Sequence, residues 1–190
     1  MVFRNVAMRA AINCFYRCNS NIISGGCRSF SDEASSFVLS EMLDKGIRRL
    51  TLNDPKTRNS LSFAMLQCLE KQLVDCSHEE ELRVIILSAT PPIFSSGHNL
   101  KELRSDTGLT YHSNIFDVCT RVMKVVQDIQ IPVIAQVKGH AAAAGCQLVA
   151  SCDIVIASSG ASFSTPGEAF PADFNKYFLI LVDVANYLSL

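Results

Sequence analysis

The sequence lacks the features of several common protein classes. No GxGxxG or Walker pattern follows any predicted strand, which argues against a doubly wound nucleotide-binding domain. The Cys and His residues never show zinc-site spacing, so we expect no metal site. With 17 Lys and Arg against 18 Asp and Glu, the formal net charge of -1 gives no reason to expect nucleic acid as a partner. The apolar run at residues 177–182 is bracketed by Lys176 and Asp183 too closely for a membrane span.

Acidic residues are absent before Asp32, whereas the same stretch is rich in Ser and basic residues. Four arginines precede that aspartate: Arg4, Arg9, Arg17 and Arg28. This composition is typical of a mitochondrial presequence, so residues 1–32 are predicted to be a transit peptide cleaved near Ser29 to Glu33, and the protein to be located in the matrix. The alternative is an unstructured basic terminus.

Cysteine is abundant, with eight residues in the chain. Three lie in the predicted presequence: Cys14, Cys18 and Cys27. The other five lie in apolar periodic segments: Cys68, Cys76, Cys119, Cys146 and Cys152. Because the matrix keeps thiols reduced, we expect these five to be small buried apolar side chains and not disulfides.

Strand and helix patterns alternate along the chain. Short apolar runs predict strands at Gly46–Leu52, Arg83–Ser88, Val133–Val137 and Asp153–Ala157. Helical spacing predicts helices at Leu61–Leu73 (with Ser60 or Ser62 as N-cap), at Asn114–Gln130 and at Ala141–Ala150. The stretch from Ser31 to Leu43 shows only a polar, transitional pattern. The alternation predicts one domain of the α/β class with a partly parallel sheet.

Three segments combine turn residues with small residues: residues 53–61, 94–102 and 137–154. The latter two each follow a strand and lead towards a helix, where backbone N–H groups lack partners within the helix. Two such groups that converge form an anion site, and around a thioester carbonyl they would stabilise an oxyanion. A tightly packed alanine helix without a ligand explains Ala141–Gly145 equally well, so the residues alone leave both interpretations open.

Together the three segments resemble the enoyl-CoA hydratase/isomerase (crotonase) family. Its patterns N-x-P-x-x-x-N-[AS]-[LM], F-x-[AS]-G-x-D-[IL] and V-x-G-x-x-x-G-G-G-x-[EQ]-L, followed by C-D-[IV], occur here in order. The resemblance covers residues 37–167 and implies an α/β fold built as a spiral of ββα units. It places a partial crotonase domain at residues 33–167 and a divergent apolar tail at 168–190, with the family's C-terminal helical trimerisation region missing or replaced.

The resemblance also implies a ligand, a coenzyme A thioester, with no separate cofactor. The oxyanion N–H groups correspond to His98 and Ala144. The residues that would hold coenzyme A are Thr57, Arg58, Ser96, Asn99, Leu100 and Lys101. For Arg58 a plain surface arginine is nearly as good an interpretation, and Lys101 beside Glu102 is often only a solvated ion pair.

The sequence departs from the family at the two carboxylates that hydratases use to activate water and deliver a proton. Gln147 and Gly167 stand at those positions, so we expect no hydratase activity, while slow thioester hydrolysis or other acyl-CoA chemistry stays open. Glu168 is displaced by one residue from the second position. His140 lies at a loop corner and is interpreted as a structural histidine.

The short tail raises two competing interpretations of the whole chain. Family members continue for about another hundred residues past this point, so the family's homotrimer is not expected here. One alternative to an acyl-CoA-binding protein is a non-catalytic protein that pairs with full-length relatives. The other is a shortened product that does not fold stably.

Overall fold

The computed structural model describes residues 37–165 and the backbone of Leu181–Asp183. Its strands are β1 (Val38–Leu43), β2 (Ile47–Leu52), β3 (Val84–Ala89), β4 (Val133–Val137), β5 (His140–Ala142), β6 (Ile154–Ala157), β7 (Ser162–Ser164) and β8 (Leu181–Asp183). Its helices are α1 (Phe63–Cys76), α2 (Leu109–Asp128) and α3 (Ala144–Ser151). Predictions for the transit peptide, for Gly167 and Glu168, and for most of the tail lie outside the described residues.

Two sheets organise the described part of the chain. The larger has the strand order β1-β2-β3-β4-β6-β8, and the smaller pairs β5 with β7. Only β1 and β2 pair antiparallel, while the other neighbours run parallel. This mixed sheet with helices confirms the predicted α/β class.

Strand β1 occupies a stretch in which the sequence pattern indicated no regular structure. It pairs with β2 from Val38↔Leu52 to Leu43↔Ile47. Only Val38 in this strand is buried, because β1 lies at the edge of the sheet and the following residues face solvent. A strand with a single buried residue shows no alternation of apolar and polar residues, which is why the pattern missed it.

Helix α1 follows the predicted pattern closely. Of the two candidate caps, Ser62 is the N-cap, and its Oγ accepts a hydrogen bond from the Met65 N–H at 3.2 Å. The predicted apolar stripe, including Leu66, Leu69 and Leu73, is buried. The helix packs against α2 and against β1 and β2. The turn at residues 53–61 before it is hydrogen-bonded to the loop after β3, since the Leu61 N–H donates to the Gly97 carbonyl and the Ser96 N–H donates to the Arg58 carbonyl.

Helix α2 begins at Leu109, five residues earlier than its pattern predicted, and ends at Asp128. Gly108, with φ of 87°, marks the start. The first turn is exposed or half-buried and carries no apolar stripe, so periodicity could not reveal it. The predicted stripe further along is buried: Ile115, Val118, Cys119, Val122 and Val126.

The helix predicted at Ala141–Ala150 is wrong at its start. The chain instead forms β5, whose residues pair with β7 from His140↔Ser162 to Ala142↔Ser164, before α3 begins at Ala144. Alanine favours helices intrinsically, but these alanines gain ladder hydrogen bonds from a strand about twenty residues away. Tertiary pairing therefore overrides local propensity at this point.

The cysteines between residues 37 and 165 are free thiols, and four of the five are buried. Cys152 is half-buried. Burial raises the pKa of Cys76 and of Cys119 to about 11. Burial, assisted by the charge of Asp153, raises the pKa of Cys152 to about 12. These thiols are protonated at neutral pH and behave as small apolar side chains, as predicted.

Two features are absent from the described part of the chain. No helix there is both long and apolar enough to cross a membrane. No group of three or more His, Cys, Asp or Glu side chains is arranged there to hold a metal ion.

Candidate functional site

The Gly97–His98 turn and the start of α3 lie against each other. A Cβ placed on Gly97, whose φ is +83°, would lie 3.0 Å from the Ala142 carbonyl oxygen and 3.3 Å from the Ala144 nitrogen. The Ala142 N–H donates to the Ser95 carbonyl at 2.9 Å, which joins the two segments in a short parallel bridge. The two turns that the sequence predicted to converge therefore do so.

Gly145 makes this approach possible from the helix side. A Cβ at that position would lie 2.8 Å from the Cβ of Ser95 and 2.9 Å from its carbonyl oxygen. Real Cβ atoms essentially never come so close to such neighbours. The small residue therefore lets the first turn of α3 pack directly onto the loop after β3.

The backbone N–H groups of His98 and Ala144 remain available for a ligand. Within the described residues, neither donates a hydrogen bond to a protein acceptor. The neighbouring N–H groups are used, since Ala142 donates to Ser95 and Ala143 donates to the Ser164 carbonyl at 2.8 Å. Ala144 is the first residue of α3, where helical N–H groups lack partners and the helix dipole favours negative charge. This pair of donors can stabilise an oxyanion.

Ala143 adopts a backbone conformation that L-residues rarely occupy. Its φ of 48° and ψ of -119° suit glycine, the residue that the family pattern has at this position. A non-glycine residue held there costs on the order of 1–3 kcal/mol, which the surrounding contacts must offset. The strain lies directly before the candidate donor Ala144.

Replacing Ala143 by glycine is expected to stabilise the protein. Relief of the strained φ outweighs the roughly 0.5–1 kcal/mol of extra unfolded-state entropy that glycine brings, so a net gain of about 1 kcal/mol is expected. Urea unfolding measures the change, with A142G in the neighbouring strand as the matched control. If A143G destabilises as much as A142G, Ala143 is not strained.

Asn59 ties the turn after β2 to the loop after β3. Its Oδ1 accepts from the Asp54 N–H at 2.8 Å and from the Thr90 hydroxyl at 3.2 Å. Its Nδ2 donates to the Thr90 and Ile93 carbonyls, both at 2.8 Å. The side chain is fully buried, so these bonds replace water. Composition and periodicity do not reveal this role, but Asn59 is the second asparagine of the pattern N-x-P-x-x-x-N-[AS]-[LM].

Ser95 extends this connection to the candidate donors. Its Oγ donates to the Asn59 carbonyl at 2.8 Å and accepts from the Gly97 N–H at 3.2 Å. The Leu61 N–H in turn donates to the Gly97 carbonyl at 2.8 Å. A continuous set of buried hydrogen bonds therefore fixes the peptide that carries the His98 N–H.

Removing the Asn59 side chain is expected to cost about 3 kcal/mol of unfolding free energy. N59A leaves the Asp54 N–H and two carbonyls without their buried partner, and each unsatisfied group costs about 1–3 kcal/mol unless water reaches it. Chemical denaturation gives the value, and N99A is the control because, among the described residues, that amide accepts a single bond, from the Lys101 N–H. Equal losses in N59A and N99A would contradict the proposed tether.

Three of the predicted coenzyme A residues lie together on the surface. The Ser96 N–H donates to the Arg58 carbonyl at 3.1 Å, and the Ser96 hydroxyl donates to the Thr57 carbonyl at 3.4 Å. Thr57 and Arg58 are exposed, so the Arg58 guanidinium is accessible to a phosphate.

The other three form a tight turn next to this group. The Lys101 N–H donates to the Asn99 Oδ1 at 3.1 Å, and Leu100 between them is 77% exposed. Glu102 accepts from the Phe63 N–H at 2.8 Å, at the first residue of α1. No Lys101–Glu102 ion pair is present among the described residues, which leaves the exposed ammonium available for a ligand.

The His98 imidazole is half-buried and packs against α2. Its ring meets the ring of Phe116 edge-on, with centroids 5.1 Å apart and an interplanar angle of 79°. Burial lowers the pKa of this histidine, and a hydrogen bond with the Leu61 backbone opposes the shift. Its Nδ1 atom is buried without a hydrogen-bond partner among the described residues.

Two polar residues of this region, Gln147 and His140, make different hydrogen bonds. Gln147, at the first carboxylate position, is half-buried in α3, and its N–H donates to the Ala143 carbonyl at 3.1 Å. His140 bonds Ser162 Oγ through Nδ1 at 2.8 Å and Ser164 Oγ through Nε2 at 3.0 Å. Both ring nitrogens thus have partners, as expected of a structural histidine.

A small crevice lies near the site but does not include the donors. Its volume is about 130 Å³, and it is lined by Ala89, Pro91, Pro92, Ile93, Phe94, Lys138 and Gly139. Ligand pockets for drug-sized molecules are typically about 300–1,000 Å³. The crevice is smaller than such pockets, and neither His98 nor Ala144 lines it.

Comparison with known proteins identifies the family. A family model described as "Enoyl-CoA hydratase/isomerase" matches residues 43–170, about two thirds of the chain. The chain belongs to the enoyl-CoA hydratase/isomerase family. The resemblance stated from the three segments is therefore confirmed, and the crotonase-like architecture with it.

Individual relatives support this assignment. Mitochondrial enoyl-CoA hydratase domain-containing protein 3 of Homo sapiens is 52% identical over 122 residues, which are 64% of this chain and 40% of the relative. The Rattus norvegicus protein of the same name is 46% identical over 143 residues, 75% of this chain and 48% of the relative. The chain therefore spans less than half the length of these curated relatives.

Solved structures of the family show the same fold. The crystal structure of human enoyl coenzyme A hydratase domain-containing protein 3 matches with a TM-score of 0.67 and 49% identity, covering 69% of this chain and 51% of that one. An enoyl-CoA hydratase from Mycobacterium smegmatis matches with a TM-score of 0.65 and 41% identity, covering 67% and 49%.

Proposed function

We propose that this chain binds acyl-CoA thioesters in the mitochondrial matrix, within fatty-acid metabolism, and does not hydrate enoyl-CoA. The observation that carries the proposal is the convergence of the His98 and Ala144 turns, whose N–H groups have no protein acceptor in the described part of the chain. Membership of the enoyl-CoA hydratase/isomerase family supplies the ligand class. The names of its relatives place those proteins in mitochondria and thereby support the location.

The proposed chemistry starts at the thioester carbonyl. Its oxygen would accept hydrogen bonds from the His98 and Ala144 N–H groups, which draw electron density away from the carbonyl carbon. Each preorganised donor of this kind is worth about 3 kcal/mol when negative charge develops on the oxygen. The exposed cationic side chains of Arg58 and Lys101 suit the phosphates of coenzyme A.

Hydration of a double bond needs a group that activates water and a group that delivers a proton. At the first of these positions the chain has Gln147, whose amide takes no proton at neutral pH. At the second it has Gly167, which has no side chain and lies outside the described residues. Polarisation of the carbonyl without these acids leaves binding, or slow attack by water, as the available chemistry.

Calorimetric titration of the full 190-residue chain with saturated and α,β-unsaturated acyl-CoA tests the proposal. We expect saturable binding of both classes without measurable hydration of crotonyl-CoA. A144P removes one donor N–H at the first helical position and is expected to weaken binding roughly tenfold, or about 1.4 kcal/mol.

Matched glycine variants separate the site from general damage. G97A inserts a Cβ between the two turns and is expected to weaken binding, whereas G160A introduces a Cβ with no atom within 4 Å and is expected to bind normally. Circular dichroism confirms that each variant is folded. Absence of binding in the folded wild-type chain, or robust turnover of crotonyl-CoA, would refute the proposal.

A further inference from the structure

We propose that the His98 side chain positions the Gly97–His98 turn in the loop after β3, and that it does so only as a neutral imidazole. This inference rests on the proposed function, because the loop it positions carries one of the two proposed donor N–H groups. It concerns the ring of His98, whereas the proposed function uses only the backbone of that residue.

The ring connects three elements at the site. It belongs to the loop after β3, packs edge-on against Phe116 of α2 at 5.1 Å, and lies beside the backbone of Leu61 in the turn after β2. The backbones of Leu61 and His98 already form a parallel bridge, in which the Leu61 N–H donates to the Gly97 carbonyl at 2.8 Å. The ring therefore links the Gly97–His98 peptide to the turn after β2 and to α2.

The neutral form of the ring suits this location and the charged form does not. An imidazolium carries two N–H donors, and both need an acceptor when they are removed from water. Nδ1 is buried and has no partner among the described residues. A proton there would be an unsatisfied buried charge, so protonation favours a state in which the ring leaves Phe116 and the loop loosens.

Within the described residues, no charged neighbour compensates for the proton. The titratable and charged groups on the three elements are Lys101, Glu102, Arg104 and Asp106 on the loop, Asp54, Lys56 and Arg58 on the turn, and Tyr111, His112, Asp117, Cys119, Arg121, Lys124 and Asp128 on α2. None of them contributes to the lowered pKa of His98, which results from burial opposed by Leu61. Glu102 is bonded to the Phe63 N–H, and His112 to Thr107.

The sign of the pH effect follows from this lowered pKa. Because the ring binds its proton less readily in the folded protein than in the unfolded chain, its packing stabilises the fold above a pH of about 6.5. That contribution is lost as the pH falls towards the lower pKa of the folded state. Affinity for acyl-CoA is expected to fall over the acidic range below this folded-state value.

The test compares the pH profiles of acyl-CoA binding in wild-type and variant chains between pH 5 and 8. For linkage to a single proton, the wild-type dissociation constant rises at most about tenfold for each pH unit below the pKa of the ring in the ligand-free protein, and it levels off below the lower pKa of the ring in the complex. H98N and H98Q place a non-titrating amide near the positions of Nδ1 and Nε2, respectively. We expect at least one of them to bind like wild type at pH 7.5 and to keep that affinity at pH 5.5.

Two further variants complete the design. H98A removes the ring and is expected to bind several-fold more weakly at all pH values, without the histidine-dependent loss. H78Q replaces an exposed histidine and is expected to reproduce the wild-type profile. The phosphate of coenzyme A also titrates near pH 6, but it does so equally with every variant and cancels in the comparison. Wild-type profiles in H98N, H98Q and H98A would overturn the inference.

A measurement without ligand separates this inference from the proposed function. Hydrogen exchange at the Leu61 N–H, corrected for intrinsic rates, reports whether the Gly97 loop stays docked. The inference requires protection that falls with pH in wild type and stays constant in H98Q or H98N. Equal protection in all chains overturns it. If wild type binds no acyl-CoA at any pH, the proposed function fails, and this exchange result alone decides the role of His98.

Discussion

The buried hydrogen bonds of Asn59 are the constraint on which the rest of the site depends. Its side-chain amide donates to the Thr90 and Ile93 carbonyls, which joins the turn after β2 to the loop after β3. Its backbone carbonyl accepts a hydrogen bond from the Ser95 hydroxyl. Because the side chain is fully buried, each of these groups would otherwise lack a partner. These bonds therefore fix the position of the loop after β3, and the first turn of α3 packs against it.

Close approach of the loop after β3 to the first turn of α3 brings the two candidate donors together. Gly97 and Gly145 leave no room for a Cβ between the loop and the first turn of α3. Backbone N–H groups reach the same small volume only where side chains are absent from it, and donors fixed in advance need no reorganisation when charge develops. The strained conformation of Ala143 is the cost of placing alanine where the family pattern has glycine.

The fold of this chain follows its family, whereas one side chain at the candidate site departs from the family pattern. The fold is that of the enoyl-CoA hydratase/isomerase family, and Gln147 stands at a position where the resemblance to the family implies a carboxylate. An oxyanion site depends on backbone geometry and therefore survives many side-chain changes, whereas acid–base catalysis depends on individual side chains. The proposed combination of acyl-CoA binding without hydration is therefore physically consistent.

Local patterns predicted the elements whose stability depends on burial. The stripes of α1 and α2 and the strands β2, β3, β4 and β6 were predictable because apolar periodicity records which face is covered. Edge strand β1 and strand β5 were not, since exposed residues carry no periodicity and the alanines of β5 favour a helix in isolation. The three motifs likewise identified the family before any coordinate was known.

Sequence by itself thus determined the α/β class, the family, the glycine turns and the absence of a carboxylate at Gln147. Only the tertiary structure decided how the turns meet, that Asn59 holds them, and that the His98 ring lies between Leu61 and Phe116. The physical reason is distance along the chain. The bonds of Asn59 to Thr90, Ile93 and Ser95 join residues 31 to 36 positions apart, and no local pattern records such pairings.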